Sequence, residues 1–255
     1  MKKIQYFILA IIGTAFLYAC GSENDVFKNT RLATGARVKF IHASPGSPGV
    51  EIRVNDLKFS GVATVAPATP NVMNYGAVFP AVEYATIPAG SPNVKIVVPA
   101  TATTPEAVAV SANLPTEDNK AYSVFAAGSA PNLVPVVLAD VLPPVSTTKF
   151  FVRFVNLTPN STSADVGFNS NPLFSNVPFR GGNATFTELD APLTAGSGVF
   201  NTAFAVRVSG AVGTTPLIGN LSIINVRPGA VITIYSRGAF GSTTTPVSVT
   251  FYSSR

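Results

Sequence analysis

The sequence predicts an all-β protein composed of two tandem β-sandwiches of short antiparallel strands. Its apolar segments are short, rich in β-branched and aromatic residues, and bounded by turn residues that include 21 Pro and 20 Gly. Helix-forming stretches with a 3.6-residue period are missing, so strands are the expected element. An internal repeat then divides the 255 residues into two similar units.

The repeat is clearest where each copy begins. Residues 38–55 align with residues 152–169 without a gap, at an offset of 114, and five of the 18 aligned pairs are identical. Each copy has the usual size of a domain with a single core. We therefore assign residues 36–142 to a first β-sandwich module and residues 147–255 to a second. The residues between them include two prolines, Pro143 and Pro144, which predict a stiff, extended joint.

Within a copy, apolar and polar residues alternate as they do in strands. Val50, Ile52 and Val54 alternate with Glu51 and Arg53, which places the apolar side chains on one face and the charges on the other. Seven or so short strands per copy, each half buried, fit a sandwich better than a barrel. Beyond the opening strands, we predict strands at residues 82–87, 93–98, 106–112, 121–127, 133–139, 183–188, 202–209, 217–224, 230–236 and 246–252.

Segments of the first copy resemble a known domain family. They are Ala36-Arg-Val-Lys-Phe-Ile-His-Ala-Ser-Pro45, Val50-Glu-Ile-Arg-Val-Asn55, Tyr84-Ala-Thr-Ile-Pro-Ala-Gly90 and Tyr122-Ser-Val-Phe-Ala-Ala-Gly128. Together they resemble an uncharacterised envelope domain, domain of unknown function 4397, over most of residues 36–140. The second copy departs from the pattern, with Asn156 in place of the histidine. The resemblance implies an immunoglobulin-like or transthyretin-like sandwich on an exported bacterial protein, and it brings no assigned activity.

The N-terminus resembles the signal peptide and lipobox of a bacterial lipoprotein. Lys2 and Lys3 precede an apolar stretch that ends in Leu17-Tyr18-Ala19-Cys20-Gly21. We expect a signal peptide over residues 1–19, cleavage before Cys20, and acylation of its thiol, for example with palmitate. Residues 20–35 would then be a lipidated tether. An uncleaved membrane anchor or an ordinary signal peptide is the alternative, although the stretch is somewhat short for a membrane span.

The tether and the overall charge indicate where the protein acts. Glu23 and Asp25 follow the cysteine, which resembles a weak signal for transfer to the outer face of the outer membrane; a plain solvated linker is the alternative. With Lys2 and Lys3 removed, 15 basic residues stand against 12 acidic ones. The basic residues are scattered and form no stripe, so nucleic acid is not an expected partner.

Catalytic candidates are few. Most acid–base or nucleophilic schemes use histidine, an activated cysteine or paired carboxylates. Cys20 is assigned to lipid, and His42 is the only histidine. Its counterpart in the second copy is Asn156, before a similar Ser/Thr-Pro turn, so hydrogen bonding to turn backbone would explain both residues. A ligand or metal role for His42 is the less favoured alternative.

Carboxylates and metal ligands give equally weak signals. Glu51 and Asp165 are equivalent outward positions on a strand, where acidic residues are usually solvated, and no spacing nominates the facing pair that a glycosidase needs. Calcium could bind loop oxygens of Asn55 and Asp56, or of Glu117 and Asp118, but the ligand spacing is not that of a calcium loop. We therefore assign no catalytic residue, no metal and no cofactor.

These observations predict a non-enzymatic lipoprotein of the cell envelope, anchored in the outer membrane and serving in binding, adhesion or structure. A surface polysaccharide or a protein is the expected ligand, and the loops at one end of each sandwich are the expected binding surface. Tyr75, Phe79 and Tyr84 could form a sugar-stacking platform, although strand aromatics are more often core. The alternative is an accessory of polysaccharide capture or hydrolysis, and a plain spacer is a third hypothesis.

Overall fold

The computed structural model describes residues 34–60, 72–169, 171–191, 198–210 and 217–255. All regular secondary structure within these ranges is β-strand, which confirms the predicted class. The strands are β1 (Ala36–His42), β2 (Glu51–Val54), β3 (Leu57–Lys58), β4 (Val78–Phe79), β5 (Ala85–Ile87), β6 (Asn93–Val98), β7 (Ala107–Asn113), β8 (Ala121–Ser129), β9 (Asn132–Ala139), β10 (Lys149–Asn156), β11 (Ser163–Phe168), β12 (Asn171–Pro178), β13 (Thr187–Asp190), β14 (Phe200–Val208), β15 (Leu217–Val226), β16 (Val231–Arg237) and β17 (Ser248–Ser253).

The strands form four sheets, two in each copy of the repeat. The inner sheet of the first copy has the order β4-β1-β8-β9, with β5 also paired to β1, and its outer sheet has the order β3-β2-β6-β7. The second copy repeats this plan with inner sheet β13-β10-β16-β17 and outer sheet β12-β11-β14-β15. Two tandem sandwiches of one topology are therefore confirmed. The strands β3, β4 and β12 were not predicted.

One pairing in each copy is parallel, although the sequence predicted antiparallel sheets. The first strand of the copy lies beside the next-to-last one, so Val38 pairs with Tyr122 on β8, and Val152 pairs with Ile232 on β16. Parallel neighbours need a long crossover connection. That crossover includes all the outer-sheet strands of the copy, together with the inner-sheet strands β4 and β5 in the first copy and β13 in the second.

Each copy has its own apolar core between its two sheets. In the first copy, Val38 and Phe40 of β1 pack with Ile52 of β2 and Ile96 of β6. In the second copy the cluster includes Phe150, Phe154, Phe200 and Phe204. Rings in this core approach closely, with 5.0 Å between the centroids of Phe150 and Phe200. The residues that face these cores are the even-numbered ones of β1 and β10, as the alternation predicted.

A third apolar cluster joins the two copies. It is formed by Ile41, Phe125, Val155, Tyr235 and Tyr252, together with neighbouring side chains of the two inner sheets. Residues 35–255 form one compact unit that contains both copies and this cluster. The expectation that every strand is half buried is therefore wrong for β1, β8, β10 and β16, which are covered on both faces.

The two inner sheets stack with their strands running in the same sense. The hydroxyl of Ser123, near the start of β8, accepts a hydrogen bond from Arg153 at 3.1 Å. Farther along, the ring centroid of Phe125 lies 6.1 Å from that of Tyr235. At the end of β16, the guanidinium of Arg237 lies against Gly76. Because the levels match in order, the starts of β1 and β10 lie at the same end of the molecule.

The connection between the copies runs along that end. The amide of Val141 donates to the carbonyl oxygen of Ala184 at 3.3 Å, and Arg255 donates to the carbonyl oxygen of Pro144 at 3.1 Å. The module boundaries at residues 142 and 147 stay predictions. The predicted signal peptide and Cys20 lie outside the described residues. Within the described ranges, no helix has the length and apolar character required to cross a membrane.

Candidate functional site

The outer sheet of the second copy carries an open groove on the face turned away from the core. We call it the outer groove, and its volume is about 840 Å³. It extends across β11, β12, β14 and β15. It is lined by Asp165, Val166, Gly167, Asn169, Asn171, Pro172, Phe174, Ser175, Ala203, Phe204, Ala205, Arg207, Asn220 and Ser222.

The groove is open because small residues occupy its floor. Gly167 of β11 pairs with Ala205 of β14 at the centre of the sheet. At the equivalent place in the first copy, Arg53 of β2 pairs with Lys95 of β6. Two long side chains therefore cover the first outer sheet, whereas a hydrogen atom and a methyl group leave the second one uncovered.

The charges on the outer sheet of the first copy neutralise one another. Arg53 donates to Glu51 at 2.6 Å and to Glu106 at 2.9 Å, and the ammonium of Lys58 lies 3.0 Å from Glu51. Burial alone would raise the pKa of Glu51, but hydrogen bonds from Lys58 and Arg53 hold it below its ordinary value. Glu51 was expected to be solvated, and it is instead a buried, doubly paired carboxylate.

The outer groove of the second copy keeps free polar groups. One oxygen of Asp165 accepts hydrogen bonds from the amide of Asn176 at 2.7 Å and from Ser209 at 2.6 Å, so the carboxylate is fixed in place. Arg207 pairs with Asp165 across the strands, yet it makes no ion pair with any carboxylate among the described residues. Asn220 is exposed on the neighbouring strand β15. The groove thus offers a guanidinium and amides to a ligand.

His42 and Asn156 occupy equivalent buried positions and make equivalent bonds. The ring nitrogen Nδ1 of His42 accepts from the amide of Ser44 at 3.4 Å, and Asn156 Oδ1 accepts from the amide of Thr158 at 3.2 Å. His42 Nε2 lies 3.2 Å from the carbonyl oxygen of Pro48. Burial lowers the pKa of His42. The hydrogen bonds to turn backbone that the sequence predicted are thus present in both copies.

The three aromatic residues considered for sugar stacking do not form one platform. Phe79 packs in the first core, with its ring centroid 6.0 Å from that of Phe59. The hydroxyl of Tyr84 donates to Asp140 at 2.6 Å, between the copies. The ring centroid of Tyr75 lies 6.3 Å from that of His42, in an edge-to-face arrangement. All three therefore serve packing.

The two pairs of residues considered for calcium have other neighbours. Asp56 forms an ion pair with Lys95 at 2.5 Å, and Asn55 accepts a hydrogen bond from the amide of Asn93 at 3.0 Å. Glu117 and Asp118 are exposed and follow the β-bridge at Thr116. Across the described ranges, no group of three or more His, Cys, Asp or Glu residues is arranged to hold a metal ion.

Sequence reasoning missed a buried ion pair between the copies. Arg153 of β10 is completely buried and lies 2.5 Å from Asp140, which is also buried. The guanidinium also donates to Thr233 at 2.9 Å. Lys39, the counterpart of Arg153, instead donates to backbone carbonyls, including that of Val82 at 2.7 Å. A basic residue at the same place in two apolar strands was the only signal for these contacts.

Comparison with models of protein families gives a match. The model of a family described as Domain of unknown function (DUF4397) matches residues 36–167, which is 132 of the 255 residues. The match covers the first copy, all of β10 and nearly all of β11. No curated protein matches the sequence.

Proposed function

The chain belongs to the DUF4397 family, and on that premise we propose that it is a non-enzymatic binding lipoprotein of the cell envelope, anchored through Cys20, with its ligand in the outer groove. The family is one of unknown function, so the proposal rests on this chain's own residues. The ligand class that fits is a polar polymer, such as a surface polysaccharide.

The observation that carries the proposal is the contrast between two equivalent surfaces. One copy covers its outer sheet with paired charges, while the other keeps Gly167 and Ala205 at the matching positions. Free amides and an unpaired guanidinium beside an apolar floor are the groups that orient a polar ligand in a concave site. Loss of the covering charges in one copy alone is a change that opens a site.

Hydrolysis is the alternative function for the same groove. A glycosidase uses two carboxyl groups on opposite sides of the scissile bond. Asp165 is the one carboxylate among the described residues of the groove lining, and it accepts two hydrogen bonds from its own module. Binding needs no second carboxylate, so the groove favours binding over hydrolysis.

A groove-filling variant tests the binding proposal. The substitutions Gly167→Arg and Ala205→Lys install the residues that the first copy carries at the equivalent positions. An added Cβ at Gly167 meets its nearest atom, the carbonyl oxygen of Asn171, at 3.4 Å, so a side chain fits there. We expect binding in a glycan array and in pull-downs with envelope polysaccharide to be lost in this variant.

The matched control is Lys95→Ala in the first copy, which changes an equivalent outward position away from the groove. It should bind as the native protein does. Equal binding by the native protein and the groove-filled variant would exclude the outer groove. Turnover of a glycan that is abolished by Asp165→Asn, with binding retained, would favour the hydrolase instead.

The anchor has a separate test. Cys20→Ser removes the thiol that the lipid requires, and we expect the protein to leave the membrane fraction for the soluble one. Unchanged fractionation with membranes would contradict lipid attachment at this residue without affecting the argument for the groove.

A further inference from the structure

A second, apolar cleft lies at the end of the molecule where β16 begins. We call it the apolar cleft; its volume is about 450 Å³, and its lining includes Val145, Ile224, Phe251, Arg227 and Arg255. The three apolar side chains are exposed by 76%, 69% and 37%, respectively. A cluster of large exposed apolar side chains around a concavity marks a surface that another body covers.

Two arginine side chains, those of Arg227 and Arg255, line the apolar cleft. Arg255 donates to the carbonyl oxygens of Gly229 at 3.3 Å and Pro144 at 3.1 Å. Neither Arg227 nor Arg255 forms an ion pair with a carboxylate in the described part of the chain. Apolar side chains flanked by uncompensated arginines are the combination that binds the interface of an anionic bilayer, where the acyl region lies beneath phosphate groups.

The cleft lies at the end where the chain enters the folded unit. The strands β1 and β10 start at that end, and the linker residues Val141 and Val145 run along it, with Val145 3.7 Å from an added Cβ at Gly229. Cys20 precedes Gly35 by fifteen residues in the sequence. At about 3.5 Å per extended residue, an anchor at Cys20 holds Gly35 within about 50 Å of the bilayer. Such a tether raises the effective concentration of the surface, so a small patch is sufficient for docking.

We propose that the apolar cleft docks on the anionic bilayer that holds the lipid of Cys20, with Val145, Ile224 and Phe251 in the interface and Arg227 and Arg255 at the phosphates. The inference rests on the lipid anchor of the proposed function. Docking would orient the protein with both inner sheets roughly along the membrane normal. The outer groove, on a sheet that runs along the length of the molecule, would then face sideways and remain open to ligand.

Site-specific fluorescence tests the docking. Cys20 is the only cysteine, so its acylation leaves an introduced thiol as the single labelling site. The acylated Ile224→Cys protein is labelled with bimane and reconstituted into vesicles of phosphatidylethanolamine and phosphatidylglycerol that contain a spin-labelled lipid. We expect the bimane emission to be quenched. The control is a label at Val108→Cys, an exposed position on β7 of the other copy's outer sheet, which should stay bright.

Charge and lipid composition sharpen the result. Quenching should decrease when Arg227→Glu and Arg255→Glu are combined, or when phosphatidylglycerol is omitted. Protein that floats with the vesicles while the label at residue 224 stays as bright as that at residue 108 overturns the docking and leaves the anchor intact. Failure to float overturns both. An Ile224→Cys protein that forms an intermolecular disulfide in detergent assigns the cleft to a second copy of the chain and also overturns the docking.

Discussion

The two outer sheets share a topology and differ in what covers them. In the first copy, Arg53 and Lys95 extend over the sheet and are neutralised by Glu51, Glu106 and Asp56. In the second copy, the matching pair is Gly167 and Ala205, and a groove remains. The difference shows that a duplicated fold can keep the pattern of its core residues while one outer surface changes from a layer of paired charges to an open groove. The inner sheets also differ, because Arg153 forms an ion pair with a buried carboxylate, whereas Lys39 donates hydrogen bonds to carbonyl oxygens and lies over the ring of Tyr84.

The largest expected effect is at the buried ion pair. Arg153→Leu leaves Asp140 buried without its cationic partner, and removal of one member of such a pair costs about 3–5 kcal/mol. Lys39→Leu, its counterpart in the first copy, removes a group that donates only to carbonyls and should cost less. Urea unfolding of both variants measures the difference. A Lys39 variant as unstable as the Arg153 variant would contradict the ranking of the two copies.

The charge cover of the first copy should be worth less. Arg53→Ala removes the three hydrogen bonds that the guanidinium donates to Glu51 and Glu106, and the partly exposed position limits the expected cost to about 1 kcal/mol. The reverse change, Gly167→Arg with Ala205→Lys, should leave the free energy of unfolding within about 0.5 kcal/mol, as surface substitutions usually do. Denaturation midpoints of the two variants test this difference in stability. Equal destabilisation by Arg53→Ala and by the groove-filling substitutions would contradict the prediction.

His42 gives a pH dependence that its counterpart Asn156 lacks. Burial lowers the pKa of His42. As the pH falls through about 6.5, the imidazole of His42 therefore takes up a proton in the unfolded chain but stays uncharged in the folded protein. Stability is therefore complete above about pH 6.5 and falls as the pH decreases below it, by at most about 1.4 kcal/mol per pH unit.

The variant His42→Asn installs the residue of the second copy and should remove this slope. Unfolding measured at several pH values between roughly 7.5 and 5.5 brackets the titration of a free histidine. Parallel curves for the native and variant proteins would show that His42 does not titrate differently on folding.

The smallest effect is expected at Lys95. Its ion pair with Asp56 lies on the surface, where such pairs contribute about 0–1 kcal/mol. Lys95→Ala should therefore shift the thermal midpoint only slightly, and less at high salt. A larger shift than that of Arg53→Ala would mean that Lys95 of β6 contributes more to stability than Arg53 of β2 does.

The local sequence predicted most strands, but it did not predict every edge strand. The strand β6 was predicted because Val94, Ile96 and Val98 recur with a period of two. The strand β12 was missed because Pro172 and Pro178 suggest breaks, yet proline is tolerated in edge strands, and β12 is the edge strand of its sheet. The parallel pairing of β1 with β8 depends on contacts between distant residues, for which local alternation gives no signal.

The candidate site was visible in the sequence only in part. The repeat alignment already set Gly167 opposite Arg53, but the sequence did not reveal that Ala205 and Lys95 are their cross-strand partners, because strand register is a long-range property. The expected binding surface was the loop ends, whereas the groove lies on a sheet face. In the sequence, Arg153 is one of the scattered basic residues, and nothing near it predicts burial. Its burial follows from the packing of one copy on the other.

The packing between the copies has a consequence for chains that carry a single repeat. Phe125 contacts Tyr235, which is its own counterpart in the repeat because Phe125 pairs with Ile41 and Tyr235 pairs with the equivalent Val155. A patch that meets its own equivalent is the arrangement found in symmetric homodimers. A half-length polypeptide would leave that aromatic surface bare, and pairing with an identical molecule would bury it. Fusion of two such molecules into one polypeptide would keep that dimer contact, make it independent of concentration, and let each half diverge.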